Sequence, residues 1–164
     1  MTFKLDALFE SPDKRYLDAN DLSILSQYVS SIPERVRVYR TVRDQEVTIM
    51  QAVADTLQQQ TNQPEDLVER SIRNGLMVLR YVAMAMLLDD QGFIEERLRG
   101  WLPEIVKAYE TQAIDRQLFQ LLEQKLAAVL TQPQLHLMKP MLDQAQAIML
   151  DTRETVASPR AGVR

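Results

Sequence analysis

From Leu76 to Leu88 the only charged residue is Arg80. A helix that is apolar on every side has no face for water, so it belongs at the centre of a fold with other elements packed around it. The uncharged run from Tyr81 to Leu88 is too short to span a bilayer, which takes about 20 residues. This segment is therefore read as a core helix, and the rest of the chain as its packing partners.

Those partners carry helical periodicity. Leu22, Leu25, Tyr28, Val29 and Ile32 recur at spacings of three and four, with Asp18 and Asn20 placed to cap the start. Pro33 predicts a boundary. A long second helix is expected from about Glu34 to Gln60, on the stripe Val36, Tyr39, Val42, Ile49, Met50, Val53 and Leu57. Glu46 falls inside that stripe, so either this face is partly exposed or Glu46 is paired. Pro64, with Asn62 as cap and Glu65 and Asp66 in the first turn, opens the helix that ends near Leu88.

Asp89 to Gly92 read as a turn. The next helix uses Phe93, Ile94, Leu98, Trp101, Leu102, Ile105, Val106 and Tyr109, and Pro103 predicts a split near Gly100. Two more are expected, from Gln112 to Thr131 and from Gln134 to Asp151, with Pro140 disturbing the last one early. No repeat and no strand-like alternation is evident. The expectation is an all-α fold: an arm over residues 1–15, one domain over 16–151 and a flexible tail over 152–164.

Composition narrows the chemistry. The chain has 164 residues, enough for one domain with a core of its own. Cys is 0, which excludes disulfides, thiolate metal sites, a cysteine nucleophile and any ligand held through a thioether. His is 1, so no multi-histidine metal site can form. The net charge of −4 argues against general nucleic-acid binding. Met1 to Pro12 lacks the basic start and continuous apolar run of a secretory signal, so a cytoplasmic protein without membrane insertion is expected.

The reactive side chains have ordinary explanations. His136 reads as a structural or surface residue. Glu95 and Glu96 are adjacent, so they point to different helix faces and do not form an acid–base pair. Ser11, Ser23, Ser71 and Ser158 lack the strained glycine turn that exposes a serine nucleophile. Met77, Met84, Met86, Met138, Met141 and Met149 read as core filling. Arg35, Arg37, Arg40 and Arg43, interleaved with apolar residues, suit either a partner interface or a solvated face. An enzyme is not expected.

One stretch is more specific. Ser71-Ile72-Arg73-Asn74-Gly75 leads into Leu79-Arg80-Tyr81, then Asp90 in the turn, then Glu96-Arg97. This resembles the central signature of phycobiliproteins, the phycocyanin and allophycocyanin subunits of the cyanobacterial phycobilisome. There a Cys-x-Arg-Asp motif precedes Leu-Arg-Tyr, an Ala-Gly-Asp turn and a Leu-Asp-Glu-Arg helix. The likeness runs from about Tyr16 to Leu150. It implies a globin-like fold of six core helices preceded by an N-terminal helical extension.

The departures from the family pattern bear on function. The family cysteine that bonds a linear tetrapyrrole aligns with Ser71, whose hydroxyl does not form that thioether. The aspartate that holds the pyrrole N–H groups aligns with Asn74, which offers a neutral acceptor in place of a charge-assisted one. The arginines that pair bilin propionates align near Asp66 and Leu67, which leaves Arg73 and Arg70 for that role. The resemblance thus implies no covalent bilin, and leaves a non-covalent bilin in a former cleft of Ser71, Arg73, Asn74, Arg80 and Tyr81. It also implies an interface built from Asp18, Asp21, Asp90 and Arg97, in a homodimer or a heterodimer with phycobiliprotein-type subunits.

The function expected from the resemblance is protein–protein interaction within a photosynthetic antenna, or in its assembly or turnover, peripheral to thylakoid-bound phycobilisomes. A carrier or sensor of bilin or another hydrophobic ligand is the alternative. A non-haem sensory globin is a further one.

Overall fold

A computed structural model describes Leu8 and residues 16–150. Leu8 is helical and buried; the rest of the expected arm and the expected tail lie outside the described residues. Among the described residues there are six longer helices: α1 (Ala19–Gln60), α2 (Glu65–Leu88), α3 (Gln91–Leu98), α4 (Leu102–Tyr109), α5 (Gln112–Val129) and α6 (Gln132–Met149).

As the near absence of charge from Leu76 onward requires, α2 is central, and it packs against α1, α3, α5 and α6. Val78, Leu79, Val82, Ala83, Ala85 and Met86 are all buried. By length and composition α2 would also pass as a membrane span. Here its apolar side chains join those of α1, α5 and α6 in one core cluster.

The expected boundary at Pro33 is absent, because α1 runs through it without interruption. An interior proline removes one hydrogen bond and crowds the carbonyl four residues back. That carbonyl belongs to Val29, which is 54% exposed, so water can satisfy it. The Ser31 hydroxyl also donates to the carbonyl of Tyr28 at 2.6 Å. Pro140 likewise lies inside an unbroken α6. The split near Gly100 does occur, with Pro103 in the first turn of α4.

Caps set the helix starts. Asp18 and Asp21 form a capping box at the head of α1. Thr131 and Gln134 form another at α6. At α2 the N-cap is Pro64 rather than Asn62, with no side-chain capping bond.

The 42 residues of α1 extend about 63 Å at 1.5 Å per residue. A compact chain of this size is only about 40 Å across. The helix therefore projects beyond the body, and no residue between Asp21 and Arg35 is buried. Leu22, Val29 and Ile32 are 53%, 54% and 39% exposed. Along the apolar stripe read from the sequence, Leu25 and Tyr28 are half-buried while Leu22, Val29 and Ile32 stay exposed.

Where α1 enters the body, Arg35 pairs with Asp89 at 2.9 Å, and both side chains are almost completely buried. Arg35 Nη1 also donates to the carbonyl of Met86 at 3.3 Å. Asp89 ends α2 in the left-handed conformation, with φ at 55°. The last turn of α2 has no basic residue of its own, so Arg35 supplies from α1 the positive charge that a helix C-terminus favours.

Removing one partner strands the other as a buried charge. Arg35→Ala is expected to lower the unfolding free energy by about 3–5 kcal/mol in urea titration. Arg37→Ala, two residues away but exposed, is expected to change it by less than about 0.5 kcal/mol.

Candidate functional site

The residues expected to form one bilin cleft lie on different sides of α2. Ser71 and Arg80 are nine residues apart, which is half a turn out of phase at 3.6 residues per turn. Ser71 faces α5 and Arg80 faces α1. Arg73 points to solvent and pairs with Glu69 on its own helix. The Arg70 guanidinium lies 3.6 Å from the ring centre of Tyr109 at the end of α4.

On the Arg80 side is a cleft of about 400 Å³ between α1, α2 and α3. Tyr39, Arg43 and Glu46 line it from α1, Arg80, Tyr81 and Met84 from α2, and Phe93 from α3. Arg80 grips Glu46 with two hydrogen bonds, Nε to Oε2 at 3.0 Å and Nη2 to Oε1 at 2.8 Å. The pairing anticipated for Glu46 is thus present. The hydrogen bond from Arg80 holds the Glu46 carboxyl below its ordinary pKa, against a smaller opposing effect of burial. The same bond raises the pKa of Arg80. Tyr81 and Phe93 meet edge to face at 6.1 Å, and Arg43 Nη1 donates to the Tyr39 hydroxyl at 3.0 Å. Guanidinium groups beside aromatic rings suit recognition; the lining presents no nucleophile held against a base.

The edge of this region is α3. Asp90 caps it, accepting from the Gly92 N–H at 2.8 Å. Arg97 is exposed and lies over the Phe93 ring at 5.2 Å. At the far end of α1, Asp21 is buried and Asp18 is exposed. Each engages the other's backbone N–H in the capping box. The expected interface residues therefore lie at helix starts and on α3. Of the four arginines grouped on α1, Arg35 is buried while Arg37, Arg40 and Arg43 are exposed. Met86, Met138, Met141 and Met149 fill the core as expected, but Met77 is 40% exposed and Met84 lines the cleft. His136 is exposed, at the rim of a small cavity beside Arg35 and Asp89.

On the opposite side of α2, Ser71, Thr111 and Asp115 are all buried. Thr111 Oγ1 donates to Asp115 Oδ2 at 2.6 Å. Ser71 Oγ and Asp115 Oδ1 have no hydrogen-bond partner of standard geometry, and neither has the half-buried Asn74 at Nδ2. Burial pushes the Asp115 carboxyl above its ordinary 3.8; the Thr111 bond and the nearby Ser71 hydroxyl pull the other way. Nothing in the sequence reading pointed to Asp115. Its signal was its place in the apolar series 115, 118, 122.

The described helices, from the start of α1 to the end of α6, all lie within the span of a family comparison. The model of the family described as Phycobilisome protein matches residues 11–149. The chain belongs to the phycobilisome protein family. Among curated proteins there is no match. Its six described helices make up the all-α, globin-like phycobiliprotein fold. This phycobilisome protein has no cysteine, so it carries no covalent bilin. Ser71 and its buried neighbours do not fit covalent pigment.

The buried carboxyl gives a pH signature. Between 3.8 and its raised folded value, Asp115 keeps a proton in the native state that the unfolded chain has released. Its contribution to stability is complete below that window and is lost as pH rises through it. Asp115→Asn keeps the acceptor for Thr111 and cannot ionise. The urea midpoint of Asp115→Asn minus that of the wild type is expected to grow as pH rises through the window; a difference independent of pH would count against a buried, titrating Asp115.

Proposed function

We propose that this phycobilisome protein works by protein contact, as a subunit without covalent bilin that pairs with a second subunit of the same fold. Its setting is the cytoplasmic antenna at the thylakoid surface, in the assembled phycobilisome or in the assembly and turnover of phycobiliproteins. The observation that carries this reading is the apolar ridge of α1, where Leu22, Val29 and Ile32 stay exposed on a part of the helix that projects from the body. A continuous apolar ridge on a projecting helix marks an interaction surface.

The receiving surface is the arginine- and aromatic-lined cleft. Arginine, tyrosine, phenylalanine and methionine are the residue types enriched where proteins bind one another. Val47, 73% exposed, and Met77, 40% exposed, add apolar surface on the two helices that line most of the cleft. One chain carries both halves of the contact, so a two-fold pair uses each half twice. In that pair Arg97 meets the acidic start of the partner's α1, the end marked here by Asp18 and Asp21, while Asp90 keeps α3 in position.

Size-exclusion chromatography with light scattering is expected to show a dimer at high micromolar concentration. Val29→Lys with Ile32→Lys is expected to give a monomer with unchanged circular dichroism and melting. A wild-type chain that is monomeric at that concentration, and that does not co-purify from native cells with an identified phycobiliprotein subunit, would overturn the reading. If only the first occurs, the pair is a heterodimer.

The same cleft supports a second reading, a non-covalent carrier of bilin or another hydrophobic ligand, because Arg80 and Tyr81 sit beside a volume of about 400 Å³. Titration with phycocyanobilin and biliverdin reads it out. A red-shifted band weakened by Arg80→Ala supports the carrier, and unchanged spectra remove it.

A further inference from the structure

The pigment side of α2 differs from the cleft side. A Cβ on Gly75 would lie 2.8 Å from Cδ2 and 3.0 Å from Cδ1 of Leu118, so α2 and α5 are in direct contact there. Ser71 is one turn before Gly75 on α2, and Asp115 is about one turn before Leu118 on α5. The serine therefore lies in the same seam, one turn along. Leu118 and Leu122 are fully buried below it, and Thr111 and Asp115 are buried beside it. Ser71 Oγ and Asp115 Oδ1 are enclosed polar atoms without other partners, and such atoms are stable inside a protein only close to one another or to a trapped water.

We infer that Ser71, Thr111 and Asp115 form a polar clasp that has replaced the pigment at this position: it closes α2 onto α5 and leaves no room for a linear tetrapyrrole, bonded or free, between them. The change from the family pattern then goes beyond a missing nucleophile. Restoring the cysteine alone would not restore a pigment site, because the space the pigment needs is occupied by a helix–helix contact. This inference concerns the α2–α5 seam and is independent of the pairing and of the Arg80 cleft.

The chain has no cysteine, so Ser71→Cys places a single thiol at the position in question. A thiol-specific reagent such as dithiobis-nitrobenzoate is much smaller than a tetrapyrrole. In the native full-length variant that thiol is expected to react at least about 100-fold more slowly than in guanidinium, because reaction must wait for opening of the structure. Incubation with phycocyanobilin is expected to give no covalent red-shifted band. A thiol that reacts less than about 100-fold more slowly in the native protein, or a covalent bilin band, overturns the clasp.

A second variant keeps the test decisive if Ser71→Cys does not fold. Ser71→Phe would fill an open pocket without harm but cannot enter a closed seam. It is expected to lose the cooperative thermal transition or to melt well below the wild type. A Ser71→Phe chain that melts within about 5 °C of the wild type overturns the clasp.

Discussion

The Arg35–Asp89 pair fixes how the two longest helices meet. Taking two charges out of water costs several kcal/mol per ion, and only close geometry with further hydrogen bonds offsets that cost. Here the contact is 2.9 Å, and the guanidinium also holds the carbonyl of Met86 in the last turn of α2. Arg35 therefore acts as a C-terminal cap delivered from another helix. It anchors α1 at the point where that helix leaves the body, and it holds the turn from which α3 starts. The cleft lined by α1, α2 and α3 inherits its shape from this contact, and so does the direction in which the ridge of α1 projects.

Much of the architecture could be read from local pattern. The central place of α2, the Asp18 cap and the break before Pro103 follow from residues within one or two turns of each other. Pro33 and Pro140 misled because a proline rule based on the isolated helix ignores solvent access to the freed carbonyl. The start of the α1 stripe was one residue out of phase. Periodicity makes Val36 and Tyr39 inner positions, whereas Arg35 and Val38 are the buried ones and Tyr39 packs against the core only in part. Positions 35, 38, 42 and 49 share one face, but an arginine at the first of them does not look like core. The match between Glu46 and Arg80, 34 residues apart, depends on the register of two helices, and no local pattern contains it.

The candidate site was legible as a set of residues and not as a place. Alignment to the family motif picked out Ser71, Asn74, Arg80 and Tyr81 together because they are close in sequence on one helix. The helix then distributes them around its circumference. One side faces a buried seam that includes Asp115, a residue with no counterpart in the motif as read. The other side faces a surface rich in arginine and aromatic rings. The buried Ser71 and the exposed Arg80 therefore occupy separate faces of α2.

The projecting part of α1 has a consequence for how tightly its own backbone is held. A helical stretch shorter than about 12–15 residues is marginal in water, and most helical stability in proteins comes from burying a face. The turns between Asp21 and Arg35 bury no side chain fully and contain a proline. They stay wound because they continue a helix that is well packed from Val38 onward, and because the Asp18–Asp21 box closes their far end. Amide protons along this single helix should accordingly exchange with solvent on a gradient, slow beyond Val38 and quickening toward Ala19, until something covers the ridge.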